Sequence, residues 1–219
     1  MPEPLSKVAH TNRVDFKLGK VGKYPFDKHP ELTQRCMEAI ASWSQVEACA
    51  LQLFVTLLGQ PSATAAMIYL ELDGKGPKSV ALNVVADRTL PSDFQEVFKV
   101  IRKLIASQQK RRDKLAHGVW GYSPDVSDGL LLINPKELPL QYHPREMGDF
   151  FNNIRFHADR IFVYREQDFL GFVRDNEDLA DTMLAFRRAF IWRGTPQADE
   201  RFARLCAMLG IQGVAHRPT

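Results

Sequence analysis

The chain has 219 residues, 45% apolar and 25% charged, and is therefore long enough to bury a substantial core. No apolar run approaches the length of a membrane span, and the first residues lack the apolar segment of a secretory signal. A formal net charge of +3 is too small to indicate nucleic-acid binding by itself.

The three cysteines, Cys36, Cys49 and Cys206, lie within apolar helical patterns, and their number is odd. We therefore predict buried free thiols in a reducing compartment, and a cytoplasmic protein. No spacing of Cys and His resembles a metal-binding motif, so we expect neither a metal nor a cofactor.

The N-terminal part combines a basic arm with a long helix. Residues 1–28 carry six Lys or Arg against three acids, with Pro and Gly between them, which predicts an arm that is loosely ordered or lies over the surface. Pro30 then opens a first long helix, which ends at Gly59. Glu47 lies beside the apolar stripe of this helix. Its carboxylate either stays at the edge of the stripe or orients Arg112 of a later helix across the core.

Two shorter helices follow. Ser62 is a candidate N-cap for the second helix, and the DGKGP turn at residues 73–77 ends it. The third helix covers residues 78–89 and presents Val80 and Val84 among its apolar positions. Short connections of this kind favour an up-and-down helical bundle.

The fourth helix begins at Ser92 and is the most informative stretch of the chain. Its apolar residues recur at helical spacing and predict one buried stripe. They are Phe94, Val97, Phe98, Ile101, Leu104 and Ile105. Continued in steps of three and four, the stripe reaches Gln108, Arg112 and Leu115, so an arginine faces inward near the helix end.

The end of this helix joins charge to a titratable side chain. His117 lies at the C-terminus, where the helix dipole favours its protonated form. Gly118 is expected to end the helix in the left-handed backbone conformation. Six Lys or Arg lie between residues 102 and 114, with Asp113 as the only acid. Such a run is typical of a solvated helix face.

After Gly118 the pattern changes from helix to strand. Residues 119–122 and 130–133 predict a small β-hairpin. Residues 142–156 are compatible with a short helix and residues 160–164 with a strand. We interpret residues 119–164 as an insertion of strands and loops.

Helical periodicity returns for the rest of the chain. A long helix over residues 166–192 closes the bundle, and a short helix covers residues 199–209. The sequence thus predicts an all-α domain at residues 29–192, an up-and-down bundle of four to five helices with a β-hairpin after the fourth. Residues 193–219 form a short helix and a tail.

The sequence RRDKLAHG at residues 111–118 resembles the signature of the HEPN superfamily. In these helical domains an Arg is followed by four to six residues and a His, often with a polar residue after the Arg. Arg112, Asp113 and His117 match this motif. The context is similar too, because the motif ends a long helix within a bundle at residues 29–192. The resemblance implies a HEPN-like bundle.

In HEPN proteins two copies of the motif typically face one cleft and cleave RNA without a metal. The resemblance therefore implies a homodimeric endoribonuclease, acting in phage defence or in a toxin-antitoxin system with an antitoxin or regulatory partner. It implies that His117 transfers a proton at the ribose 2′-hydroxyl or the leaving 5′-oxygen, and that Arg112 neutralises phosphoryl charge. Asp113 would hydrogen-bond His117 or hold Arg112.

Neighbouring residues are candidates for RNA binding. Lys110, Arg111 and Lys114 are candidates for phosphate contacts. For Arg111 the first interpretation is a solvated charge, although it too fits the loose motif, with five residues between it and His117. Trp120 and Tyr122 either pack in the core or stack an unpaired base.

Two interpretations compete with catalysis. Arg112 and His117 could merely bind carbonyl groups at a helix end, a common form of capping. The chain could also be a catalytically silent HEPN-like dimer that binds RNA, a nucleotide or a protein partner through the same cleft, because a fold does not fix an activity.

Overall fold

The computed structural model describes residues 2–8, 24–59, 63–123, 125–137 and 158–211. Over these residues the chain is mostly helical, with one small antiparallel sheet. It divides into two compact units: unit 1 comprises Met1–Ala41 and Gln109–Arg174, and unit 2 comprises Ser42–Gln108 and Asp175–Thr219. The assignment of residues 29–192 to one domain stays a prediction.

Helices account for most of the described residues. They are α1 (Leu5–Val8), α2 (Tyr24–Lys28), α3 (Pro30–Leu57), α4 (Ala63–Glu71), α5 (Lys75–Thr89), α6 (Ser92–His117), α7 (Glu166–Ile191) and α8 (Pro196–Met208), with 3₁₀ turns at Pro135–Glu137 and Ala158–Arg160. The long helices α3, α6 and α7 confirm the predictions made from apolar periodicity. Gly59 follows α3 with φ 83°, the left-handed conformation typical of a glycine after a helix.

Two shorter helices begin earlier than predicted. α5 starts at Lys75 because Gly74 makes the turn by itself, with φ 76°, and a proline is tolerated in the first helical turn. α8 starts at Pro196 because the hydroxyl oxygen of Thr195 accepts a hydrogen bond from the Ala198 amide at 3.3 Å.

Four strands form an antiparallel sheet in unit 1. They are β1 (Glu3–Pro4), β2 (Val119–Ser123), β3 (Val126–Ile133) and β4 (Ile161–Tyr164), in the order β1-β4-β3-β2. The β2–β3 hairpin and the strand at residues 160–164 confirm the predictions. The sheet is larger than the predicted hairpin because β4 pairs with β3, and β1 pairs with β4.

Both faces of this sheet are buried. Directly paired residues lie on the same face, so Trp120, Leu132 and Phe162 share one face. That face packs in a cluster with the helices of unit 1: Cys36, Ala39, Leu115, Trp120, Leu130, Leu132, Tyr164, Phe169 and Phe172. The other face forms a second cluster: Leu5, Val126, Leu131, Ile133, Ile161 and Val163. Burial on both sides explains why residues 130–133 are apolar without alternation.

Parts of the predicted arm carry regular structure. β1 and α1 lie within it, and Leu5 is fully buried beneath the sheet. Leu5, the partly buried Val8 and the pairing of β1 with β4 together anchor this part of a segment whose composition is mostly polar. Residues 9–23 of the arm and the predicted helix at 142–156 lie outside the described residues.

The core of unit 2 is built around Phe94. Its ring centroid lies 4.2 Å from that of Phe202 and 5.6 Å from those of Phe186 and Phe190. The apolar stripe of α6 is buried through Ile101, as predicted. Three predicted apolar positions are instead exposed: Leu104, Val80 and Val84.

No helix among the described residues combines the length and apolar character needed to cross a membrane. The three cysteines are free and buried, as predicted. Burial raises the pKa of each thiol, in the case of Cys36 to about 12.

Candidate functional site at the end of helix α6

The last turn of α6 is joined to the sheet by a hydrogen bond. The indole N–H of Trp120 donates to the carbonyl oxygen of Leu115 at 3.1 Å. The amide of Gly118 donates to the carbonyl oxygen of Lys114 at 2.8 Å. The Gly118 bond continues the helical pattern by one residue, whereas the Trp120 bond uses a carbonyl group that a helix end leaves without a helical partner and so holds the motif in a defined position.

Gly118 is required here for a different reason from the predicted one. Its φ is not positive, so the helix does not end through a left-handed glycine. A Cβ atom at this position would lie 2.2 Å from Cδ1 of Leu132 and 2.6 Å from the carbonyl oxygen of Lys114. The glycine therefore permits close approach of the sheet to the end of the helix.

Arg112 lies partly buried on the inward side of α6, as the apolar stripe predicts. Its side chain is 32% exposed, and Nη1 lies 3.5 Å from Oδ1 of Asp113. The Nε atom is buried and has no hydrogen-bond partner among the described residues. Neighbouring residues on a helix do not face one another, so the contact with Asp113 is a weak one. Glu47, the other candidate partner considered from the sequence, is exposed.

His117 is exposed and makes no hydrogen bond or ion pair to any residue that the structure describes. The imidazole is therefore not a buried, satisfied histidine. Five helical positions separate it from Arg112, which corresponds to about 140° around the helix and about 7.5 Å along it. One copy of the helix consequently presents the two side chains in different directions. The sequence leaves two roles open for Asp113, a hydrogen bond to His117 or a contact that holds Arg112. The ion-pair contact of Asp113 is with Arg112.

The three basic candidates occupy different environments. Lys110 and Lys114 are exposed and lie on the same side of α6 as His117. Four helical positions separate Lys110 from Lys114, and three separate Lys114 from His117. The ammonium of Lys114 lies 6.0 Å from the ring centroid of Phe162, a partly exposed aromatic residue of β4. Arg111 is not a solvated charge: its guanidinium lies 4.8 Å above the ring of buried Phe172.

Trp120 packs in the core, the first of the two roles considered for it. It is 8% exposed, and its ring lies 5.6 Å from Tyr164 and 6.1 Å from Phe169. Because its N–H is also bonded to Leu115, it offers neither a face nor a donor to a base. Tyr122 is half-buried, where the pairing of β2 with β3 is irregular between Gly121 and Ser123.

Sequence reasoning missed the two phenylalanines that hold the basic side chains. Phe172 follows the helical periodicity of α7, but nothing in the pattern indicates that an arginine covers its ring. In β4, Phe162 pairs directly with Leu132, so strand alternation places the two side chains on the same face of the sheet. That alternation is a usable signal once the strand pairing is known.

Within the described part of the chain, no group of three His, Cys, Asp or Glu side chains is arranged to hold a metal ion. Comparisons with protein-family models, with curated proteins and with solved structures gave no match. The likeness to HEPN proteins therefore rests on residues 111–118 and on their place at the end of a long helix.

Proposed function

We propose that this protein is a metal-independent endoribonuclease of HEPN type, acting through Arg112 and His117. One observation carries the proposal: among the described residues, neither the exposed imidazole that ends α6 nor the buried Nε donor of Arg112 on the same helix has a hydrogen-bond partner. Structural capping alone would instead consume these groups in hydrogen bonds to carbonyl oxygens. The HEPN-like bundle is part of the same proposal.

The chemistry assigns different tasks to the two side chains. An imidazole can both accept and donate a proton, so His117 takes the proton from the ribose 2′-hydroxyl or gives one to the leaving 5′-oxygen. The 2′-oxygen forms a bond to phosphorus as the bond from phosphorus to the 5′-oxygen breaks. Arg112 keeps its charge and donates to the phosphoryl oxygens as negative charge develops on them.

The proposal includes a homodimer. Arg112 and His117 are about 140° apart around one helix, so a second copy would have to complete a cleft that holds both kinds of group. Two copies of the motif facing each other is also the arrangement that the HEPN resemblance implies. Asp113 is assigned the task of holding Arg112, in keeping with their 3.5 Å contact.

RNA binding without cleavage is the second candidate function. Lys110, Lys114 and His117 share one exposed side of α6, whereas Arg112 lies on the other side. A lysine-bearing face of this kind supports binding to a phosphate backbone without any catalytic geometry.

Incubation of purified protein with labelled single-stranded RNA in the presence of EDTA tests both candidates. We expect cleavage that leaves 2′,3′-cyclic phosphate and 5′-hydroxyl ends, because the 2′-oxygen is the nucleophile. His117→Ala should reduce the rate by about 10²–10⁴-fold while circular dichroism and thermal unfolding stay close to wild type. Arg112→Ala should also lose cleavage, with some loss of stability.

Lys136→Ala is the matched control, since Lys136 is an exposed basic residue of unit 1 outside the motif. Cleavage that persists in His117→Ala would show that the activity belongs to a contaminant or to another site. RNA retained without cleavage, with binding weakened in the Lys110→Ala/Lys114→Ala variant, would favour the second candidate.

A toxin-like role in phage defence or in a toxin-antitoxin pair follows from the resemblance and is part of the proposal. Its readout is growth of a bacterial host on induction: arrest with the wild type and normal growth with His117→Ala.

A further inference from the structure

Unit 2 contains a cavity of about 620 Å³ that uses none of the residues at the end of α6. Its volume lies within the range of small-molecule sites, about 300–1,000 Å³. The walls are largely apolar and come from α3, α4 and α7: Leu51, Val55, Leu57, Ala66, Phe190 and Ile191. Such a surface favours an apolar ligand body over water.

Two arginines line the same cavity. The Nε–H of Arg187 donates to the hydroxyl oxygen of Thr56 at 2.7 Å, which fixes the direction of the guanidinium. Arg193 lies 4.4 Å above the ring of Phe190, and its Nη1 donates to the Phe190 carbonyl at 3.0 Å. Within the described residues, neither guanidinium forms an ion pair with a carboxylate.

Two oriented cations that form no ion pair with the described residues, beside apolar walls, favour an anionic partner. A guanidinium matches the geometry of carboxylate and phosphate groups, and its bond to them is stronger where water is partly excluded. A neutral apolar ligand would leave both charges less solvated than before, which is unfavourable. The cavity is therefore matched to a molecule with one apolar part and one anionic end.

We infer that this cavity binds a small amphipathic anion, a carboxylate or phosphate monoester on a hydrocarbon body, through Arg187 and Arg193. The apolar body occupies the wall formed by Leu51, Val55 and Ile191, and the anionic group accepts hydrogen bonds from the two guanidinium groups. This inference does not depend on the ribonuclease proposal.

Titration calorimetry of the full chain tests the inference with four dodecyl probes below their micellar concentrations: dodecanoate, dodecyl phosphate, dodecanol and dodecyltrimethylammonium. We expect the two anions to bind at one molecule per chain and the neutral and cationic probes to bind at least about tenfold more weakly. The relative affinities of dodecanoate and dodecyl phosphate identify which anionic group the site prefers.

Variants decide which residues hold the anion. Arg187→Gln and Arg193→Gln should each weaken dodecanoate binding by about tenfold or more. Thr56→Val, which removes the acceptor that orients Arg187, should weaken it by a smaller factor. Arg201→Gln is the matched control, because Arg201 lies 4.9 Å above the ring of Trp192 and does not line the cavity. Its affinity should equal that of the wild type.

Two results would overturn the inference. One is a wild-type protein that binds none of the probes, or that binds dodecanol and dodecyltrimethylammonium as tightly as the anions. The other is unchanged dodecanoate affinity in both arginine variants. Ala66→Phe keeps the test decisive if an arginine variant unfolds: it narrows the cavity without removing a charge, and it should abolish binding of the anions.

Discussion

The helix α6 contributes its first turns to the core of unit 2 and its last turns to the candidate site in unit 1. These two regions differ in the burial of their side chains. Phe94, near the start of α6, is 2% exposed and touches three other aromatic rings. His117, at its end, is exposed and forms no hydrogen bond, ion pair or ring contact with the described residues. In this helix the first turns therefore stabilise the core, and the last turns present polar groups at the surface.

The largest expected effect is in the core of unit 2. Phe94→Ala removes a ring that contacts Phe186, Phe190 and Phe202, and we expect a loss of about 3–5 kcal/mol in the free energy of unfolding. Urea denaturation followed by circular dichroism measures it. Leu104→Ala on the same helix is the control, since Leu104 is 36% exposed and should cost less than about 1 kcal/mol. Equal losses would mean that Phe94 is not a centre of the core.

The next effect is a loss of stability at high pH that originates in unit 1. Burial raises the pKa of Tyr164 from 10.0 to about 12, and the nearby carboxylate of Asp168 acts in the same direction. Because the folded pKa exceeds the unfolded one, this contribution is complete below pH 10 and is lost as the pH rises towards 12. The loss is about 1.4 kcal/mol for each pH unit, about 3 kcal/mol in all.

Urea denaturation as a function of pH, with and without Tyr164→Phe, isolates this contribution. Both chains should carry Cys36→Ala, because burial also raises the pKa of the Cys36 thiol to about 12. We expect a flatter alkaline profile for Tyr164→Phe. Identical profiles would show that the phenol is not held neutral by the fold.

The smallest effect tests the end of α6 directly. Gly118→Ala places a Cβ atom 2.2 Å from Leu132 and 2.6 Å from the Lys114 carbonyl, and we expect a loss of about 1–3 kcal/mol. Gly171→Ala is the control in the same unit, because a Cβ there meets nothing within 4 Å and lies in a helix. It should raise stability by about 0.5–1 kcal/mol. Two variants of equal stability would argue against the close approach at Gly118.

Much of the fold could be predicted because burial repeats with helical or strand geometry. Phe94, Val97 and Ile101 follow that repeat, and all three are buried. Val80 and Val84 follow it too and are exposed, since periodicity identifies an apolar face without identifying what covers it. The sheet was underestimated because β1 pairs with a strand far along the chain, and long-range pairing leaves no local signal.

The candidate site divides in the same way. Its motif, Arg112 to His117, can be found in the sequence, and the partial burial of Arg112 follows from the stripe of α6. The stacking of Arg111 on Phe172 and the burial of Trp120 could not be found there. Each depends on a side chain from a different element, whose position is set only when the elements pack.

By itself, the sequence determined where the long helices run, where α6 stops, and which charged residues lie in its last turns. Apolar spacing, proline and glycine act within a few residues, so the local sequence is enough to predict these features. Only the tertiary structure decided that Gly118 serves a close contact with Leu132, that β4 completes a sheet, and that Arg187 and Arg193 line one cavity. Such features depend on distances between residues far apart in the chain, which packing alone sets.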